Sequence, residues 1–257
     1  MKNEELPGES ISPDPSTDTA MEVHHHAHSH QGKKSWKAYA FEFCMLFLAV
    51  FFGSIAEFQL EHIIEHKKEK QFIHSLLKDL QTDVRQTSAI KEYIRQERSY
   101  MDTLVERLSG ESIYTDARPA MLIWGRSAGF PDFVSNDGTL QQLKSSGALR
   151  LIRKDTVAQA IMKYDRVVRT LLIQQEVMNR FVGNDDLSRK LFDFIAFKRN
   201  PHIPLPLAKE SNRLLNEAYA NRTTWSYLLE TLGDRVTRVN EEAKSLVQVI
   251  RHEYDIE

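Results

Sequence analysis

A single cysteine in 257 residues, Cys44, excludes an intrachain disulfide and says nothing of redox compartment. Glycine and proline are also scarce, ten and eight, and most lie in the N-terminal tail or in two later loops. The long windows between them suit helices and argue against a sheet. Charge of one sign is missing as well. Lys and Arg number 34 against 36 Asp and Glu, so there is no basic excess of the kind that binds nucleic acid. No Gly-rich phosphate loop, no G-x-S-x-G elbow and no Cys/His metal framework occurs.

What the chain does have is one long apolar run, Tyr39 to Leu60. Its centre, Phe43 to Ala56, carries no charge, and Glu42 and Glu57 fall near its ends, where a long side chain reaches headgroups. Eight strongly apolar residues there favour insertion by roughly 4 kcal/mol together. As a helix the run is about 33 Å long, enough to cross a hydrocarbon core. Trp36 and Tyr39 add aromatic anchors at the N-terminal side. Two other readings compete. One is a buried core helix; the other is a cleaved signal peptide ending at the small-x-small site Ser54-Ile55-Ala56. Lys33, Lys34 and Lys37 lie closer to the run than Lys67, Lys68 and Lys70, which favours a cytoplasmic N-terminus in a single-pass protein of the inner (cytoplasmic) membrane.

The remainder divides around that run. Residues 1–37 hold Pro7, Pro13, Pro15 and a cluster of histidines without apolar period, and are expected to be disordered. Residues 38–60 form the transmembrane helix. Residues 61–257 form a helical ectodomain, so the fold class is all-α: an N-terminal transmembrane helix continuing into an antiparallel bundle of long helices. Ile73, Leu80, Thr87, Ile94, Met101 and Leu108 make a seven-residue stripe that Gly110 terminates. The stripe allows either a coiled-coil homodimer or internal packing. Val157, Ile161, Tyr164, Val168, Leu171, Met178 and Val182 form a second stripe, and Trp225, Leu228, Leu232, Val236, Val239, Ala243, Leu246 and Ile250 a third, which favours an internal bundle. A shorter helix is expected over 185–197, then a proline loop over 198–207. Three long helices running up, down and up would place the 111–136 connection at the far end and the proline loop nearer the bilayer.

FEFCMLFLAVFFG at Phe41–Gly53, EKQFIHSLLKDLQTDV at Glu69–Val84 and LKSSGALRLIRK at Leu143–Lys154 together resemble an uncharacterised family of single-pass membrane proteins from Bacteroidota. The similarity covers residues 40 to 180. It implies an N-terminal transmembrane helix, a helical domain behind it, and a junction near Gly147 between a short and a longer helix; it supplies no catalytic motif. The residues themselves agree with that junction, since Asp137 can cap a helix over Thr139–Ser146 and Gly147 can end it. Leu140, Leu143, Leu149, Leu151 and Ile152 are expected to plug the far end of the bundle.

Three constellations bear on chemistry. His62-Ile-Ile-Glu65-His66 matches the inverted zinc-protease pattern: two histidines four apart share a helix face, with Glu65 as base. No third ligand is evident, and an interfacial polar patch explains the residues better. His24, His25 and His26, with His28 and His30, could hold a divalent metal without fixed geometry. The 111–136 connection is too apolar for a plain linker: it reads first as a cap folded over the far end of the bundle, and otherwise as a pocket or partner surface with Trp124, Arg126 and Phe130 as its candidate residues. Most carboxylates read as a solvated surface. The expectation is therefore a membrane-anchored interaction or sensor-like module without catalysis and without a cofactor. Its partners would be the lipid bilayer and a protein or second copy, with no nucleic acid; the alternative is a zinc-dependent membrane hydrolase using His62, Glu65 and His66.

Overall fold

The computed structural model describes residues 35–127, 129–182, 186–200, 202–208 and 212–256. Seven α-helices appear among them: α1 (Trp36–Ser109), α2 (Arg118–Arg126), α3 (Gly138–Ser145), α4 (Asp155–Val182), α5 (Leu187–Leu191), α6 (Phe194–Arg199) and α7 (Asn212–Tyr254). Short 3₁₀ turns cover Glu111–Tyr114 and Ala148–Leu151. No strand occurs among the described residues, and the fold is an all-α bundle. The chain divides into two units, Met1–Glu57 and Phe58–Glu257. In the first, α1 is long and apolar enough to cross a membrane: an 18-residue window reaches a mean hydropathy of 1.9. None of that window is buried, unlike a core helix of a soluble protein. Phe43, Phe47 and Phe51 stack in succession along one side, with ring centroids 6.4 and 5.9 Å apart.

In the second unit the α1 stripe behaves as a core face. Ile73, Leu80, Thr87, Ile94, Met101 and Leu108 are all buried, and Leu76, Leu77, Ile90 and Leu104 widen the face, with Val84 and Val105 half-buried at its edge. Since the stripe is consumed inside the chain, those positions are not available as a coiled-coil seam with a second copy. The α4 stripe is buried from Val157 to Met178, with Val182 half-buried. In α7 the core is Trp225, Leu229, Leu232, Val236, Val239, Ala243, Leu246 and Ile250; Leu229 takes the place expected for Leu228.

The direction of α4 differs from expectation. Tyr164 of α4 bonds Asp83 of α1, and Gln175, three turns on, bonds Phe133, whose neighbour Val134 bonds Gln86. Thus α4 runs parallel to α1. Helix α7 is antiparallel to both. Against α1, Asn240 meets Thr87 while Tyr254 meets Glu69; against α4, Trp225 stacks on Phe181 while Glu253 bonds Thr156. A parallel pair of helices needs a leg that returns between them, and residues 129–151 supply it. That leg carries Leu140 and Leu143 down to the Glu69 end of α1, where Thr139 N donates to Asp79 (3.3 Å) and Arg153 N to Glu69 (2.8 Å). These leucines therefore plug the end opposite the one the sequence suggested.

The proline loop is displaced for the same reason. With α4 ascending, the chain between α4 and α7 turns at the end where α1 finishes. There Ala117 N donates to Leu205 O (2.7 Å), Leu205 N to Asp116 Oδ1 (2.9 Å) and Arg118 Nη2 to Asn200 O (2.7 Å). The 111–126 connection and the proline loop thus form one cap. The short helix expected over 185–197 is two, α5 and α6. They are broken at Phe192 and Asp193, where Asp193 caps α6 by accepting from Ile195 N and Ala196 N.

Between the cap and α3, residues 129–137 have no regular secondary structure and no strand partner, so side chains serve their backbone. Gln175 both accepts from Phe133 N (3.2 Å) and donates to Phe133 O (3.3 Å); Gln86 accepts from Val134 N (3.0 Å); Asp83 accepts from Asn136 N (2.9 Å). Phe133 itself is buried in the core. Gly147 then turns the chain with φ 66°, the left-handed backbone expected of it.

Candidate functional site

The cap is built from α2, α5, α6 and the proline loop. Pro119 in the first turn of α2 fixes where that helix starts, because a residue there needs no intrahelical N–H. Arg118 then lies over the Phe197 ring at 4.9 Å and ties α2 to α6. The 111–136 connection is accordingly not a loop; α2 and a 3₁₀ turn occupy half of it.

The three residues singled out from sequence go to different places. Trp124 is only 3% exposed: it meets Phe192 edge-on, centroids 5.8 Å apart at 74°, while the Arg222 guanidinium sits 3.9 Å from its ring centre. Phe130 packs on Trp225 at 6.1 Å. Arg126 turns to the other side and stacks on Tyr100 of α1 at 4.8 Å. Trp124 and Trp225 line one cavity; Arg126 and Phe130 are not among its lining residues. Sequence reading missed Trp225, Phe181 and Arg222, which contribute to that cavity from α7 and α4. The signal available was that Arg222 lies three residues before Trp225 on the apolar face of α7, a place where a cation needs a buried partner surface.

Four polar side chains stand in the buried face of α1, three of them carboxylates that are exceptions to an otherwise solvated set: Glu69, Asp83, Thr87 and Glu97. All fall on the alternating three- and four-residue spacing of the stripe, so their positions were readable although their partners were not. Glu69, 1% exposed, accepts from Tyr254 Oη (2.6 Å) and Arg153 N (2.8 Å) and has His66 Nδ1 at 3.2 Å. Burial alone would raise its carboxyl, but these hydrogen bonds and the Arg153 charge hold it below the usual value of 4.5. Glu97, beside the cap, goes the other way. Burial pushes it up, and the Ser127 hydrogen bond and the Arg126 charge offset this only in part.

Glu97 therefore costs stability where it is forced to ionise. A raised carboxyl contributes fully below the unfolded value near 4.5, and that contribution is lost as pH climbs through and above it. Glu97→Gln should accordingly raise Tm at about pH 7.5. Relief of about 1 kcal/mol corresponds to about 2–4 °C, and the difference should vanish near pH 4. Differential scanning of the full chain in detergent reads this directly; an unchanged or lower Tm at the higher pH contradicts it.

The histidine patterns occupy separate surroundings. On α1, His66 faces Glu69, and the carbonyl of His62 accepts from Arg153 Nη2 at 3.3 Å. No group of three or more His, Cys, Asp or Glu side chains that could hold a metal occurs among the described residues. His24, His25 and His26 lie outside those residues, as does the expected disordered tail, except for 35–37, where α1 begins at Trp36. Set against known protein families, curated proteins and solved structures, the chain matches none.

Proposed function

We propose that the chain is a single-pass protein of the inner (cytoplasmic) membrane, its N-terminus cytoplasmic, whose helical unit acts by interaction and not by catalysis. In this reading the bilayer takes the apolar part of α1, and the cap carries a sensor-like or scaffold surface for a protein partner. Membership of the Bacteroidota single-pass family belongs to the same proposal.

The observation that carries it is the apolar exposure of the cap. Ile195 is 65% exposed, Ile203 59% and Leu122 55%, which gathers three exposed aliphatic side chains on the cap; Val134 (67%) and Ile173 (64%) are as exposed but stand on the 129–137 segment and on α4. Around them Arg118, Lys198 and Arg199 supply cations, with Asp116 and Asp193 the nearest acids in sequence. An apolar centre with a cationic rim suits an acidic, partly apolar partner segment.

The test is site-specific photocrosslinking in intact cells together with membrane fractionation. The chain should sediment with membranes and resist alkaline carbonate. A photoreactive residue at Ile195 should give a discrete protein adduct, and one at Glu241, exposed on α7, should not. A chain that stays in the supernatant defeats the anchor; equal labelling at both positions, or none, defeats the cap surface.

A further inference from the structure

Behind the cap lies a cavity of about 260 Å³ whose lining includes Trp124, Phe181, Phe194, Trp225, Ser127 and Arg222. Flat aromatic walls come from Trp124, Phe181, Phe194 and Trp225. Phe181 and Trp225 stack with centroids 5.8 Å apart and planes 13° from parallel, and Trp124 is fixed edge-on against Phe192. The one charged side chain among the lining residues is Arg222. It is buried and held against the Trp124 ring, so its position is set before any ligand arrives. Trp225 is 1% exposed, and its indole Nε1 has no acceptor among the described residues. A buried donor of that kind costs free energy until something accepts from it.

We infer that this cavity is a binding site for a small aromatic carboxylate, its ring against the Trp124 and Trp225 walls and its carboxylate toward Arg222. Size sets one bound: an apolar cavity of about 150 Å³ takes benzene, so this one has room for a ring and a short acidic chain. Charge sets the other. A guanidinium presents five N–H donors in a planar fork, so it can receive a carboxylate in addition to the bonds it already makes. An amine of the same shape would meet a buried cation in a low dielectric and be rejected. A neutral aromatic would fill the space but forgo the charge-assisted bonds. The site is separate from the partner surface, since Ile195 and Ile203 are not among its lining residues.

Calorimetric titration of the full chain in detergent tests this with three probes of one shape: 3-phenylpropanoate, 3-phenylpropanamide and 3-phenylpropylamine. The acid should bind saturably at one site, the amide at least about tenfold more weakly, and the amine without measurable heat. Arg222→Gln should weaken the acid by about tenfold or more and bring the acid and the amide together. Because a change at Arg222 also removes its contact with Trp124, a second variant is needed. Val182→Trp fills the cavity from the end of α4 and should abolish binding while circular dichroism and Tm stay those of the parent. The inference is overturned if the acid shows no saturation below about 10 mM. It is overturned equally if acid and amide bind alike, or if a folded Val182→Trp binds undiminished. A positive titration with no adduct at Ile195 would remove the partner surface and leave the ligand site standing.

Discussion

Asp83→Ala is expected to destabilise the helical unit by about 2–4 kcal/mol, the cost of leaving several buried neutral donors without their acceptor. The carboxylate is 1% exposed and accepts from Tyr164 Oη at 2.6 Å, Asn136 N at 2.9 Å, Asn136 Nδ2 at 2.8 Å and Ser135 Oγ at 3.4 Å. One side chain of α1 thereby holds both α4 and the irregular leg. Removing it leaves the Tyr164 hydroxyl without its acceptor in a site where burial first, and the Asp83 charge second, already push the phenol up. It also strips the Asn136 backbone of its bond, and that segment has no strand to fall back on. Asp83→Asn keeps one acceptor oxygen and should cost less, about 1–2 kcal/mol. Urea unfolding of the full chain in mild detergent, followed by far-UV circular dichroism, reads both. A loss below about 1 kcal/mol for the alanine variant would mean that the leg is held chiefly by Phe133 and not by this carboxylate.

Glu69→Gln should behave as a pH-dependent lesion of opposite sign to Glu97→Gln. Glu69 joins three parts of the unit at one end of the bundle: α1 itself, Tyr254 of α7, and Arg153 just ahead of α4. Its folded carboxyl lies below the unfolded value near 4.5, so the stability it contributes is complete above that value and drains away as pH falls through the lower folded one. Near pH 7 the variant should lose about 2–3 kcal/mol, the worth of charge-assisted bonds to a buried carboxylate. Towards pH 3 variant and parent should converge. Burial first and the Glu69 hydrogen bond second push the Tyr254 phenol up, so Tyr254→Phe should reproduce part of the loss without the same pH dependence. Parallel stability curves for Glu69→Gln and parent across that range would falsify the ionic account and leave only packing.

The three long helices were legible because their apolar residues keep a helical period over many turns, and Gly110 marked the end of α1 to the residue. Their relative direction was not. Two stripes that match look the same whether the helices run parallel or antiparallel, and short connections favour antiparallel neighbours. What decides it is the irregular leg over 129–137, whose stabilising groups, Gln175, Gln86 and Asp83, are scattered over two distant helices. No local pattern announces such an arrangement. The same holds for the cavity. Trp124 stood out as an aromatic in a long connection, yet Phe181, Arg222 and Trp225 joined it only because α4 and α7 both present those positions to α2. The buried polar positions of α1 form an intermediate case: their places in the stripe were visible, and only the fold gave them partners.

Those polar positions also index α1 along its own axis. Sliding the helix by one turn, about 5.4 Å, would separate Glu69 from Tyr254, Asp83 from Tyr164 and Thr87 from Asn240 in one movement, so the present set of bonds is lost together. Leucine knobs alone tolerate such a slip because the next hole is much like the last. A pull or push delivered lengthwise to α1 therefore cannot dissipate as creep; like a pawl in its notch, the helix either stays seated or drags its neighbours with it.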